Sequence, residues 1–214
     1  MKKIAVLVAM SMEESYLVKR IEEQKPETVA GAKFLHGRIG EAEVILHRCG
    51  WGMRNADRGA RALIGHAKPD ALILYGVSGG LVPDVRVADT VAAVSSFPAF
   101  GKVRKAENTD ARLTGIALRV IPEARKAPIA TSIGIILRKK RKAKIVAESG
   151  AVCIDMESYA VAKAANEMGV PLLVIRSLSD TLEPSSLLEF FKNGRVAAEN
   201  AAAGVEAVIK SIVV

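Results

Sequence analysis

Apolar residues recur along this chain at two spacings, which together predict strands that alternate with helices. Residues 4–9 form an unbroken apolar run, typical of a strand covered on both faces. Residues 12–23 carry apolar side chains at helical spacing and predict the first helix. Residues 32–38 and 43–48 alternate between apolar and polar positions, which predicts two antiparallel strands joined by a turn.

The same alternation of strands and helices continues to the end of the sequence. Further strands are predicted at residues 71–75, 88–94, 129–133, 151–154 and 171–176. Further helices are predicted at residues 53–64, 138–148, 157–168 and 186–212. Whether the last helix is interrupted at Asn193 and Gly194 is left open. Residues 95–128 have weak periodicity, and most of them receive no element. Because the chain has no repeat and no long linker, we expect one α/β domain over residues 1–214.

Composition excludes a disordered protein and places the positive charge in one segment. Half of the 214 residues are hydrophobic, enough to bury a core. The net charge is 31 − 23 = +8, yet residues 101–147 alone hold 13 basic and three acidic side chains, so the remainder is −2. The basic run at residues 138–144 lacks the interleaved aromatic side chains of a strand-binding surface. We therefore expect no nucleic-acid partner and a local site for any anion.

The cysteines and the N-terminus indicate a cytoplasmic protein. Cys49 and Cys153 belong to no Cys-x-x-Cys pair, which favours a reduced, intracellular chain. The apolar start is too short for a signal peptide and ends in Glu13 and Glu14. No apolar run reaches the roughly 18 to 20 residues that cross a bilayer.

Four segments that follow predicted strands carry the candidate chemistry, because ligands of open α/β sheets gather at the carboxyl ends of strands. These segments are residues 10–14, 76–80, 155–158 and 176–180. Residues 76–80 are rich in glycine and predict a bend after the strand. This bend can direct backbone N–H groups toward an anion or sugar oxygens, although a strand that leaves the sheet can also require it.

The acidic residues in these segments have structural explanations when each is taken alone. Glu13, Asp155 and Glu157 suit the first turn of a helix, and Asp180 can pair with Arg176. The three histidines are a different case: they are scattered in sequence, with no acids or cysteines at ligand spacing. We therefore expect neither a metal nor another cofactor.

Taken together, these segments resemble the nucleoside phosphorylase/nucleosidase superfamily, and most of all its methylthioadenosine/S-adenosylhomocysteine nucleosidase branch. The resemblance is carried by Ala9-Met10-x-x-Glu13, the glycines after Tyr75, Asp155-Met156-Glu157-Ser158 and Arg176-Ser177-Leu178-Ser179-Asp180. It implies a three-layer α/β/α fold on a mixed, partly barrel-like sheet, and a homodimer or larger assembly. The implied activity is cleavage of the N-glycosidic bond of a purine nucleoside.

The resemblance also implies roles for individual residues. Asp180 corresponds to the acid that protonates the departing base, and Glu13 to the carboxylate that activates water. The substrate-binding residues that it implies are Met156, Glu157, Ser179, Arg176, Ser78, Gly79 and Ile136. Among them, Ser179 and Arg176 would hold Asp180 in position, and Ile136 lies in an aliphatic stretch where the family carries an aromatic residue that stacks on adenine.

Three functions remain open on the sequence. The first is a nucleosidase that uses water, and the second is a phosphorylase, including hopanoid-associated members that act on a lipid-linked nucleoside. Phosphorolysis requires an anion pocket, for which Arg20 and Arg54 are the candidates. The third is a module that binds a nucleoside or nucleic acid without turnover. The basic segment holds neither predicted catalytic residue, so we assign it to substrate choice or to contact with an anionic surface such as a membrane.

Overall fold

A computed structural model describes residues 2–101, 105–182 and 186–212 of the chain. Lys102 and Arg104, which count toward the basic segment, lie outside these ranges. The strands are β1 Lys3–Val8, β2 Glu22–Val29, β3 Ala32–Ile39, β4 Ala42–Arg48, β5 Ala71–Gly80, β6 Thr90–Pro98, β7 Glu107–Asn108, β8 Arg125–Thr131, β9 Cys153–Asp155 and β10 Leu172–Asp180. The helices are α1 Ser11–Val18, α2 Met53–Ala67, α3 Ala111–Val120, α4 Lys139–Ser149, α5 Ser158–Glu167 and α6 Ser186–Ile212.

The ten strands found in the described residues belong to one mixed sheet, which is partly closed. Its order is β10-β6-β8-β9-β5-β1-β4-β3-β2, with β7 paired to β6. Strand β10 also pairs with β5, so β10, β6, β8, β9 and β5 form a closed ring. The remaining strands extend from this ring as an open sheet that ends at β2. The predicted mixed, partly barrel-like sheet is thus confirmed.

Helices cover both faces of the sheet and complete three layers. Helices α1, α3 and α6 pack on one face through Leu17, Leu113 and Val205. Helices α2 and α5 pack on the other through Leu63 and Val161. Strand β1 lies between the layers with all residues from Ile4 to Val8 buried, as its unbroken apolar run predicts. The three-layer α/β/α prediction is also confirmed.

Two elements, β2 and α3, are absent from the sequence prediction. The first helix ends at Val18, well before residue 23, and Glu22–Val29 forms the edge strand β2. All eight residues of β2 are exposed, so it has no apolar alternation to reveal it. Helix α3 lies in the segment that receives no element, and the Asp110 side chain caps it by accepting a hydrogen bond from Leu113 N at 2.8 Å.

The glycine segment after Tyr75 does not bend away from the sheet. Strand β5 continues to Gly80 because β10 pairs with it as far as Gly79 and β9 pairs with its last two residues. Strand β10 likewise runs on to Asp180, beyond its predicted end at residue 176. Helix α6 continues through Asn193 and Gly194 without a break. The predicted bend at residues 76–80 is therefore wrong.

Within the described residues, no helix is both long and apolar enough to cross a membrane. Cys49 and Cys153 are both free thiols.

Candidate active site

A cavity of about 280 Å³ opens where the carboxyl ends of several strands meet. Its walls include residues that end or follow β1, β5, β8, β9 and β10, as expected for an α/β sheet. The lining residues are Ala9, Met10, Glu13, Trp51, Val77, Ser78, Gly79, Ser132, Gly134, Ile135, Ile136, Lys142, Ile154, Asp155, Met156, Glu157, Ser179, Asp180, Phe190 and Phe191.

Glu13 is fixed in this cavity by backbone donors that follow β1 and by one in β5. Its Oε2 accepts hydrogen bonds from Ala9 N at 3.0 Å and Met10 N at 2.8 Å, and its Oε1 accepts one from Val77 N at 3.0 Å. Burial raises the pKa of Glu13, while Arg176 and these three N–H groups oppose the shift. The result is a buried, oriented carboxylate that can accept a proton.

Gly76 lets Glu13 and Arg176 approach the sheet closely. A Cβ atom at residue 76 would overlap both Glu13 Oε1 and Arg176 Nη1. Glycine is therefore required here for space, and this requirement explains part of the glycine-rich sequence without any bend.

Arg176 lies under the cavity, where two carboxylates share its charge. Its Nη2 lies 2.8 Å from Asp155 Oδ2 and 3.5 Å from Glu157 Oε2. Nη2 also donates a hydrogen bond to Ser158 Oγ at 3.2 Å. Its Nη1 is buried and has no hydrogen-bond partner among the described residues. The family resemblance implied that Arg176 holds Asp180 in position. In the structure Arg176 forms ion pairs with Asp155 and Glu157, because these two residues lie beside it at and just after the end of β9.

Asp155 has a structural role, since nearly all its lone pairs are occupied. Its Oδ1 accepts hydrogen bonds from Thr131 Oγ1 at 2.7 Å and from the backbone N–H groups of Glu157 and Ser158. Its Oδ2 accepts from Ser158 Oγ and pairs with Arg176. Asp155 thereby joins β8, β10 and the start of α5, and it sets the position of the adjacent Glu157.

Glu157 has more capacity to bind a ligand than Asp155. Its Oε1 accepts one hydrogen bond, from Gly52 N at 3.0 Å, while Oε2 has only longer contacts, at 3.3 Å from Met156 N and 3.5 Å from Arg176 Nη2. Burial raises the pKa of Glu157, and Arg176 lowers it. A carboxylate with free lone pairs facing a cavity is suited to accept hydrogen bonds from vicinal hydroxyl groups.

Asp180 forms another acidic position on the cavity wall. Its Oδ2 accepts a hydrogen bond from Ser179 Oγ at 3.0 Å. Burial raises the pKa of Asp180 to about 6, against the lowering effects of Ser179 and Lys142. With this pKa, about a tenth of the Asp180 carboxyl groups are protonated at pH 7, and this form can act as an acid.

The structure brings eight of the nine predicted site residues to the cavity. These eight lining residues are Glu13, Ser78, Gly79, Ile136, Met156, Glu157, Ser179 and Asp180. Arg176, the ninth, lies behind this wall. The catalytic and binding roles themselves stay predictions.

Four side chains that bring aromatic surface or positive charge to the cavity were not predicted from the sequence. Trp51, Phe190 and Phe191 add aromatic surface, and Trp51 and Phe191 remain 58% and 75% exposed at its mouth. The available signals were a lone Trp between two glycines and a Phe pair at the start of α6. Lys142 is the fourth, and it was hidden within the basic run.

Neither arginine suggested for a phosphate lines the cavity. Arg20 lies over the ring of Tyr16, 5.2 Å from its centroid, and near Glu206. Arg54 is exposed on α2. Among the described residues that line the cavity, Lys142 carries the one positive charge.

Comparisons with known proteins identify the family of this chain. The model of the phosphorylase superfamily matches residues 3–210. The chain is 29% identical to a 5'-methylthioadenosine/S-adenosylhomocysteine nucleosidase of Geobacillus kaustophilus, over 94% of this chain and 93% of the relative. It is 28% identical to the nucleosidase of the same name from an Exiguobacterium species, over 98% of each chain.

Solved structures show the same fold at lower identity. The nucleosidase of Neisseria meningitidis bound to methylthio-immucillin-A superposes with a TM-score of 0.94 at 22% identity, over 99% of this chain and 100% of that one. A futalosine hydrolase mutant of Helicobacter pylori superposes with a TM-score of 0.92 at 21% identity, over 99% and 100% of the chains. The fold, the cavity and the match over nearly the whole chain lead to one conclusion: this protein is an enzyme of the phosphorylase superfamily.

Proposed function

We propose that this enzyme hydrolyses the N-glycosidic bond of a purine nucleoside, with Asp180 as the acid and Glu13 as the base. The observation that carries the proposal is the presence of both carboxyl groups in one cavity, with the pKa of Asp180 raised to about 6. Cleavage leaves negative charge on the base and positive charge on the sugar. An acid on the base side and a base for water on the sugar side are what this reaction requires.

Asp180 would protonate the departing purine at N7. Its raised pKa keeps a fraction of the free enzyme protonated near neutral pH, and Ser179 orients its Oδ2. The absence of a side chain at Gly79 allows the Asp180 carboxyl group to lie close to β5, because a Cβ atom at residue 79 would lie 3.0 Å from Asp180 Oδ1. General acid catalysis of this kind contributes about 10²-fold to 10⁴-fold.

Glu13 would accept a proton from the attacking water. Three backbone N–H groups hold its oxygens in place, so the carboxylate does not need to reorganise during the reaction. Arg176, whose Nη1 lies near the same Cβ position of Gly76 as Glu13 Oε1, supplies positive charge that favours the ionised form of Glu13.

Glu157 and Met156 would hold the sugar. Glu157 Oε2 has lone pairs available for ribose hydroxyls, and Met156 offers an apolar surface in the same wall. Ile136 and Phe190 add apolar surface for the base or for the substituent on the sugar. The names of the curated relatives favour methylthioadenosine and S-adenosylhomocysteine as substrates, and futalosine is the alternative from the Helicobacter pylori neighbour.

Water is favoured over phosphate as the nucleophile. A phosphate dianion in a buried cavity needs compensating positive charge. Arg20 and Arg54 lie elsewhere, and Lys142, the cationic lining residue in the described part of the chain, has the carboxylate of Asp180 as a charge neighbour.

A nucleoside with a large apolar substituent is a second candidate substrate, and the mouth of the cavity favours it. Trp51, Ile135 and Phe191 line the cavity while remaining more than half exposed. Large exposed apolar side chains at a cavity mouth are suited to an apolar group that extends out of the site. A substituent of this kind would also bring the mouth near a membrane surface.

A substrate panel tests these proposals. Methylthioadenosine, S-adenosylhomocysteine, futalosine, adenosine and an adenosine with a long alkyl group at the 5' position are each incubated with enzyme, and free base is measured by chromatography. We expect base from at least one nucleoside, and no base from the Asp180→Asn enzyme on the same time scale. If the wild-type enzyme releases no base from any of the five, the proposed reaction is wrong.

A further inference from the structure

Two histidines and a glutamate that are distant in sequence meet on the surface at the open end of the sheet. Glu27 lies on the edge strand β2, His36 on the adjacent β3 and His66 in the last turn of α2. Although the histidines are scattered in the sequence, His36 and His66 meet because β3 and α2 pack against each other. None of the three residues lines the active-site cavity.

Their ligand atoms converge on one point. His36 Nε2 lies 2.8 Å and His66 Nε2 lies 3.1 Å from the same oxygen, Glu27 Oε2. The two Nε2 atoms are 3.3 Å apart. Around a tetrahedral Zn²⁺ with bonds of about 2.0 to 2.1 Å, ligand atoms lie about 3.3 Å from one another. The two nitrogens already have this spacing, and the carboxylate needs to retreat by only a few tenths of an ångström.

The surroundings fix the rings and leave the carboxylate free to adjust. The His66 ring stacks on the buried ring of Phe34, with centroids 4.4 Å apart, and His36 meets His66 edge-on at 5.4 Å. The side chain of Glu27 is 47% exposed, so it can move. His36 and His66 are 28% and 22% exposed, which leaves a route for an ion from solvent and an open position for water.

We propose that Glu27, His36 and His66 bind one divalent transition-metal ion, with Zn²⁺ the best match. Two imidazole nitrogens and one carboxylate oxygen form a ligand set that such ions favour, whereas Mg²⁺ and Ca²⁺ prefer oxygen alone. The ion ties β2, which otherwise pairs only with β3 in the described sheet, to helix α2. Its effect is therefore on the stability of this corner of the fold.

Co²⁺ titration of the untagged full-length protein tests the site, because tetrahedral Co²⁺ absorbs visible light. We expect one Co²⁺ per chain, displacement by Zn²⁺, and a Tm raised by about 5 °C or more when free Zn²⁺ is at 100 times its Kd. His36→Gln, His66→Gln and Glu27→Gln should each weaken binding at least about tenfold.

One matched control comes from β2 and the other from β4, the strand that pairs with β3. Glu22→Gln changes an exposed glutamate on β2, and His47→Gln removes the one histidine outside the cluster. Both variants should bind Co²⁺ like the wild type, and circular dichroism checks that every variant is folded. Absence of saturable binding by the wild type, or wild-type affinity in folded His36→Gln and His66→Gln proteins, would overturn the proposal.

Discussion

The ammonium group of Lys142 and the carboxyl group of Asp180 lie on one wall of the cavity and act on each other. Lys142 is buried on α4, and its Nζ donates to the carbonyl oxygens of Gly80 at 3.3 Å and Thr181 at 3.4 Å. Its charge lowers the pKa of Asp180, while burial raises it. The proposed acid is therefore balanced between these two opposing effects.

Replacing Lys142 with Met should make Asp180 a weaker acid. Without the neighbouring positive charge, the protonated form of Asp180 is favoured, so its pKa rises above about 6. The alkaline limb of kcat/KM for base release should then move to higher pH by on the order of one unit. The control is Lys140→Met, an exposed residue on the same helix. An unchanged limb in the Lys142→Met enzyme would show that Lys142 does not act on the acid.

Asp180→Asn should lower the activity of the enzyme and should raise its stability above about pH 6. We expect kcat to fall by about 10²-fold or more, because the amide cannot donate the proton. The folded-state pKa of Asp180 is raised above its unfolded value, so its ionised form destabilises the fold, and this cost is present above about pH 6 and absent below about pH 4. In denaturant unfolding at pH 8, the free energy of unfolding of the variant should therefore exceed that of the wild type by on the order of 2 kcal/mol, and this difference should vanish at pH 4.

Gly76→Ala should displace Glu13. The added Cβ overlaps Glu13 Oε1 and Arg176 Nη1 inside a buried network, so we expect a loss of about 1 to 3 kcal/mol in the free energy of unfolding. Activity should fall with it because the proposed base moves. Gly65→Ala is the control, since nothing lies near its Cβ position in helix α2 and alanine favours a helix. Equal stability changes in the two variants would contradict the close packing at Gly76.

Asp155→Asn and Glu157→Gln should separate support of the fold from substrate binding. Asp155→Asn leaves Arg176 without its shortest ion pair and should cost about 3 kcal/mol or more in denaturant unfolding. Glu157→Gln keeps its shape and its Gly52 contact but loses acceptor strength, so we expect KM to rise about tenfold or more with a small change in stability. A large loss of stability in Glu157→Gln together with a raised KM and unchanged stability in Asp155→Asn would contradict the roles assigned to these two residues.

The sequence was most informative where function depends on residues next to a strand end. Glu13, Glu157 and Asp180 each lie beside a strong apolar run, so their meeting at one edge of the sheet could be predicted. Their hydrogen bonds could not, and Arg176 proved to pair with Asp155 and Glu157 rather than Asp180.

Other features depend on tertiary packing that a local pattern does not contain. Lys142 lies in a run of basic residues whose neighbours are exposed, and it is buried because α4 places it on the same face as Ile145. His36 and His66 are 30 residues apart and meet only through the packing of β3 and α2. The edge strand β2 has no apolar face, so only its pairing with β3 defines it.

The rate of base release with and without phosphate, measured on the nucleoside of the panel that is cleaved fastest, distinguishes hydrolysis by Glu13 and Asp180 from phosphorolysis. Wild type, Glu13→Gln and Asp180→Asn enzymes are compared in phosphate-free buffer and again with added phosphate. The account predicts that wild-type base release does not depend on phosphate and that both variants lose about 10²-fold or more in kcat. Strict dependence on phosphate, or wild-type rates in both variants, would contradict hydrolysis by this pair of carboxyl groups.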